Sequence, residues 1–258
     1  SSHSTHTEYA IDLIKASKNV HIEKPISVNF EQLENLKKTI KNHPGVNVTT
    51  GFNRPFSPYI KRIKKLFINH PQNNLMVNMN VFCHELKSDH WYKKKQEGSR
   101  VSGNYSHWID LVVHFLRWKN YSSFLEIGIK LSNQENKDEN LLITIISEEN
   151  DMFIMCFSSL NEPILGVTET ISVQTKDFSS TINNFKEQLI DFGNKYKVHK
   201  TVKKDCGHDD AIMQLFNNKN NHKRLEEVIC STDLTLRISN AIENNNFSFN
   251  FNMDDFFN

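Results

Sequence analysis

The chain has 258 residues, with 31 Lys plus Arg against 30 Asp plus Glu and a formal net charge of +1. This length is enough to bury most of the apolar surface in one large domain or two modest ones, and the balanced charge gives no electrostatic reason for nucleic acid or an anionic membrane as partner. The four cysteines, Cys83, Cys156, Cys206 and Cys230, are far apart and form no C-x-x-C pair, so neither a zinc site nor a disulfide framework is expected, and a cytoplasmic setting is.

The chain opens on the polar run Ser1–His6, which does not read as a signal peptide. From Thr7 to Ser17, Ala10, Leu13 and Ile14 recur at helical spacing, and the short strand-like run Asn19–Ile22 follows at once. Asn29 is a candidate N-cap for a helix over Glu31–His43, with Leu33, Leu36 and Ile40 as its apolar stripe. His43-Pro44-Gly45 breaks that helix, and the β-branched run Val46–Thr50 ends at Gly51. Helix, strand, helix, strand is the pattern of a parallel sheet covered by helices.

Beyond Pro55 the texture changes. Leu75–Cys83, Ser123–Lys130, Leu141–Ser147, Met152–Ser159 and Ile164–Thr175 are strand-like runs with short connections, which favours a mostly antiparallel sheet. Helices are expected at Pro58–Phe67, His107–Arg117, Asp209–Asn218 and Arg224–Glu243. The basic run Lys61–Lys65 reads as a solvated helix face, and 244–258 as a flexible tail or surface arm. No run approaches the roughly 18 apolar residues that cross a bilayer. His107, Asp110 and His114 share one helical face, but no further ligand lies at recognisable spacing, so no metal site is expected; Asp110 is expected to orient His107 or cap local backbone.

The most informative string is Val20-His21-Ile22-Glu23-Lys24-Pro25, a strand running into a charged pair and a proline. A lysine at the carboxyl end of a parallel strand stands where open α/β sheets bind ligands. In order and spacing, this string, Gly51-Phe52-Asn53-Arg54-Pro55-Phe56, Asp89-His90-Trp91, Gly98-Ser99-Arg100, Gly103-Asn104-Tyr105-Ser106-His107-Trp108-Ile109-Asp110-Leu111 and Asp205-Cys206-Gly207-His208 resemble the Gfo/Idh/MocA oxidoreductases. They look most like the subgroup found fused to zinc-type alcohol dehydrogenase modules.

The resemblance implies the C-terminal half of a Rossmann domain over 1–53, followed over 54–243 by an α+β domain with a mostly antiparallel open sheet and helices on one face. It implies hydride transfer between NAD or NADP and a hydroxyl of a sugar, nucleotide sugar or cyclitol. Lys24 and His107 would be catalytic, Lys24 touching the hydroxyl and the nicotinamide ribose and His107 exchanging the proton. Ser2, His3, His6, Glu23, Pro25 and Arg54 would lie with Lys24 at the cofactor. Trp91, Asn104 and Tyr105 would line the substrate with Lys24 and His107. It also implies a homo-oligomer built through the C-terminal sheet.

Two features depart from the family pattern. Family members often carry a carboxylate three or four positions before the histidine, where this chain has Asn104 and Gly103. The eight glycines include no pair spaced by two, so the Gly-x-Gly-x-x-Gly phosphate loop is absent. The expectation is therefore an enzyme fragment whose cofactor loop precedes Ser1. The rival expectation is a non-catalytic sugar-binding or assembly module.

Overall fold

The computed structural model describes residues 1–71, 73–87, 89–119, 124–161, 163–164, 166–216 and 222–257. A single 3-10 turn at His3–Thr5 leads into α1 (His6–Lys15), β1 (Val20–Ile22), α2 (Phe30–Asn42) and β2 (Val48–Thr50). α2 starts after the extended Asn29, whose side chain accepts from Gln32 N at 2.9 Å and satisfies one otherwise orphaned donor. β1 and β2 pair in parallel, Val20 opposite Val48 and Ile22 opposite Thr50, and α2 is the crossover that parallel neighbours require. Ala10, Ile14, Val20, Ile22, Leu33 and Leu36 close a small core between this sheet and its helices.

The rest of the chain is organised by a sheet of nine strands: β3 (Met76–Phe82), β4 (Phe124–Leu131), β5 (Leu141–Ser147), β6 (Met152–Ser158), β7 (Thr168–Gln174), β8 (Ser179–Asn183), β9 (Glu187–Asp191), β10 (Tyr196–Lys200) and β11 (Ser248–Asn252). Their spatial order is β10-β9-β8-β7-β3-β6-β5-β4-β11, antiparallel throughout except where β3 runs parallel to β6. Strict alternation in β5, with Leu141, Ile143 and Ile145 buried, shows how one face is turned to the core. Onto that face pack α3 (Pro58–Phe67), α4 (Ser106–Leu116) and α6 (His222–Glu243). The short α5 (His208–Met213) lies near β2. The architecture is thus a Rossmann-like unit followed by a large, mostly antiparallel sheet backed by helices.

Three departures from the sequence expectations stand out. β8, β9 and β10 were not foreseen, because their alternation is carried by Thr, Ser, Gln and Lys as much as by apolar residues. The tail is not a free arm: β11 pairs antiparallel with β4, Phe251 opposite Leu125, and buries Phe251 and Met253. Its signal was the alternation Phe249-Asn250-Phe251-Asn252. α5 is also shorter than the expected Asp209–Asn218, whose last two positions lie outside the described residues, as does Ser123 at the start of an expected strand.

Candidate active site

β1 delivers Glu23, Lys24 and Pro25 at its carboxyl end, with the Lys24–Pro25 peptide in cis. The N-terminal segment is tied to this loop: His6 Nδ1 lies 2.9 Å from Pro25 O, and Thr7 Oγ1 donates to Ile26 O at 2.8 Å. Lys24 Nζ reaches across to the large-sheet unit and donates to Gly103 O at 2.5 Å. Burial, then the nearby Arg54 charge, bring the Lys24 ammonium down to about 8, against an opposing pull from Glu23.

Gly103 sits in a π-helical turn, Val101–Tyr105, that runs directly into α4. A Cβ there would lie 2.7 Å from Tyr92 Cε2 and 2.9 Å from His3 Cε1, so this turn is walled by aromatic rings and admits no side chain without displacing them. His3 packs edge-on against Trp91 at 4.5 Å between centroids, and its Nδ1 is 3.2 Å from Glu97 O. Burial lowers the His3 imidazole to about 4. Trp91 keeps 38% of its surface exposed beside this wall.

His107 follows one turn after Gly103, on the second residue of α4, half-buried and edge-on to Phe52 at 5.8 Å. Its Nδ1 is buried and has no hydrogen-bond partner. Burial holds the imidazole far below its ordinary range, reinforced by the positive charges of Arg54, Lys24 and Lys204. Lys24 thus grips the turn that leads into the helix of His107, and its charge is felt at the ring.

Other expected site residues are placed differently. Arg54 is buried and committed: its Nε and Nη2 donate to the Glu169 carboxylate at 2.8 and 3.1 Å, and its guanidinium lies 4.2 Å from the Trp108 ring centroid. It sets the field of the site from behind rather than offering a free donor at a cofactor. Tyr105 is wholly buried, stacked on Phe157 at 4.0 Å, and its hydroxyl donates to Asp138 O and Glu139 O, so it faces the core and not a substrate. Asp110 accepts from Arg224 and from Ser231 Oγ at 3.1 Å rather than orienting His107. His114 pairs with Glu227 at 2.8 Å. Asn104 is half-buried beside the His107 turn, Ser2 Oγ lies 3.2 Å from Ser4 Oγ, and the Glu23 carboxylate is largely exposed and accepts from Lys24 N at 3.3 Å.

Sequence reasoning missed Glu169. Its carboxylate also accepts from Trp108 Nε1 and Lys204 Nζ, both at 3.0 Å, so one buried acid ties β7 to the residue beside His107, to the loop after β2 and to the loop before α5. The available signal was its place in β7, in phase with the inward-facing Ile171 and Val173. Among the described residues no group of three His, Cys, Asp or Glu side chains is arranged to hold a metal, and no helix is long and apolar enough to cross a membrane.

The model of the GFO_IDH_MocA oxidoreductase family, NAD-binding Rossmann fold, matches residues 1–52. The Bacillus subtilis protein described as uncharacterized oxidoreductase YrbE is 31% identical over 64 residues, which span 25% of this chain and only 18% of YrbE. Among solved structures, the dehydrogenase MviM of Clostridium difficile superposes with a TM-score of 0.74 at 20% identity, over 93% of this chain and 77% of that one. GenD2 from gentamicin A biosynthesis, solved in complex with NAD, gives a TM-score of 0.72 at 14% identity, over 98% of this chain and 77% of its own. At such identities the structures speak to fold, and the sequence matches to the N-terminal unit. Residues 1–52 are thus similar to the NAD-binding Rossmann part of that oxidoreductase family, and the chain as a whole shares the two-part fold of these solved structures.

Proposed function

We propose that this chain carries the reacting centre of an NAD- or NADP-dependent dehydrogenase acting on a hydroxyl of a sugar, nucleotide sugar or cyclitol. The observation that carries the reading is the meeting of Lys24 with the His107 turn, through the bond from Lys24 Nζ to Gly103 O. An ammonium held against the turn that leads into an imidazole's helix can act with that imidazole on a hydroxyl or carbonyl oxygen and stabilise charge developing on it.

The residues present fit the nicotinamide end of the cofactor. The Lys24–Pro25 loop is pinned to the Ser1–His6 segment by His6, and the exposed Glu23 carboxylate, already near His21 and Lys24 N, keeps further lone pairs for ribose hydroxyls. Glu23, Lys24, Pro25, Ser2, His3 and His6 would hold that end, and hydride transfer is the chemistry the group supplies when bound. The pyrophosphate is not provided for by the glycines of this sequence. Lys24 and His107 orient the reacting oxygen, Asn104 offers an amide to a neighbouring hydroxyl, and Trp91 presents an indole to the substrate ring. A homo-oligomer through the outer face of the large sheet completes the proposal.

The test uses the full-length protein, including any region encoded upstream of Ser1. Fluorescence titration with NADH and NADPH should show saturable binding, and a polyol panel should give nicotinamide reduction that Lys24→Ala abolishes without altering the circular dichroism. Failure to bind either dinucleotide would favour a non-catalytic sugar-binding or assembly module.

A further inference from the structure

We propose that His107 meets the reacting oxygen as a fixed hydrogen-bond donor, through Nε2–H of a neutral ring, and that the proton exchanged in the reaction passes through Lys24. This rests on the dehydrogenase reading above and reverses the proton role that the sequence resemblance gives to His107.

The argument begins with the atom behind the ring. Nδ1 of His107 is buried and unpartnered. A histidine that accepts a proton at Nε2 must carry its other proton on Nδ1, and that N–H needs an acceptor to hold the tautomer and to stabilise the imidazolium. Among the described residues no acceptor is in place. The nearby carbonyl of Gly103, one turn back, is engaged by Lys24 Nζ at 2.5 Å. Asp110, the carboxylate one turn forward, is taken by Arg224 and Ser231. Glu169 is saturated by Arg54, Trp108 and Lys204. Positions 103 and 104, from which a carboxylate might have reached the ring, are glycine and asparagine, and His3 and Tyr92 fill the space beside the first.

The surrounding charge points the same way. Arg54, Lys24 and Lys204 act on the ring as positive charges. A positive field favours a bare lone pair over an N–H at the buried nitrogen, and it opposes a second proton on the ring. The stable form is then neutral, with its hydrogen on Nε2. Such a ring donates a hydrogen bond but cannot accept a proton at the nitrogen that faces the substrate. The group left to carry the proton is Lys24, whose ammonium is brought to about 8 by burial and by Arg54 while Glu23 opposes the shift.

The step balances as follows. In the reducing direction the carbonyl carbon gains a hydride from the reduced nicotinamide, which is oxidised, and the C=O π pair moves onto oxygen. An O–H bond forms as one N–H bond of the Lys24 ammonium breaks. The neutral amine left behind regains a proton from water.

Two experiments decide the assignment. Nitrogen NMR of the chain labelled on histidine, with the His107 signals identified by their loss in His107→Gln, should show a neutral ring protonated at Nε2 at neutral pH and below. A ring protonated at Nδ1, or an imidazolium at neutral pH, overturns the proposal. In the full-length enzyme, His107→Gln, which keeps an N–H donor near the Nε2 position, should stay within about tenfold of the parent, whereas His107→Leu should lose about 100-fold or more. Equal losses in the two variants would return the proton to His107. Carbonyl reduction should also fall as pH rises through the Lys24 titration, and a limb set by His107 instead contradicts the assignment. Absence of any nicotinamide turnover, by contrast, overturns the dehydrogenase reading itself and this division of labour with it.

Discussion

Glu169→Leu is the most informative single perturbation of this fold. The carboxylate is fully enclosed and faces an Arg54 side chain that is only 8% exposed, with paired bonds of 2.8 and 3.1 Å. Deleting one member of such a pair leaves a buried uncompensated charge and costs about 3–5 kcal/mol. Trp108 Nε1 loses its acceptor as well, whereas Lys204 is 34% exposed and can turn to water. At about 2–4 °C per kcal/mol for a chain of this size, the melting temperature should fall by roughly 6–20 °C in a calorimetric scan. Arg54→Met combined with Glu169→Leu should recover much of that loss, since apolar replacements of both partners are often close to neutral. Arg54 would press harder on the site in Glu169→Leu, so the Lys24 amine should titrate below about 8. A single-variant loss under about 1 kcal/mol, the range of an exposed pair, would refute the reasoning.

Other outcomes follow from the same geometry. His3 is held neutral by burial to about 4, so between that value and its ordinary 6.5 the unfolded chain binds a proton that the native state does not; stability should decline as pH falls through this window, and His3→Phe should flatten the decline in urea titrations. Lys24 is depressed to about 8 from 10.5, so its cost to stability is complete below pH 8 and relieved as pH rises toward 10.5; Lys24→Met should be more stable than the parent at neutral pH, with the gap closing in that alkaline range. Tyr105→Phe removes a donor to one buried and one half-buried carbonyl and should cost about 1 kcal/mol in denaturant melts while leaving substrate affinity unchanged. Gly207 has φ +85°, and a Cβ there would fall 2.4 Å from Ser57 N and 2.6 Å from Asn53 O, so Gly207→Ala should lower stability by about 3 kcal/mol or more, seen as a shifted thermal midpoint.

The parts of this molecule that were legible in the sequence are those set by local chemistry. Asn29 marks the start of α2, Pro58 opens α3, and the run from Val20 to Pro25 announces a strand ending in a charged loop. The partners of the site residues were not legible, because they are fixed by tertiary contacts. Arg54 meets an acid 115 positions away, and nothing near residue 54 signals it. The family resemblance implies Tyr105 as a substrate contact, yet the wide turn over Val101–Tyr105 carries it into the core. β8 to β10 escaped because a strand whose alternation is mostly polar carries little periodic signal.

α6 has a consequence for how the protein comes apart. Leu225, Val228 and Leu236 belong to the core of the small parallel unit, while Cys230, Leu234, Ile238, Ala241 and Ile242 belong to the core of the large sheet. One rod of 22 residues is thus mortised into both cores, its contacts switching from one to the other within a few residues. Neither half can melt without stripping that rod from its neighbour, so unfolding should be a single cooperative event. The spacing between the loop that carries Lys24 and the helix that carries His107 is then inherited from a shared beam.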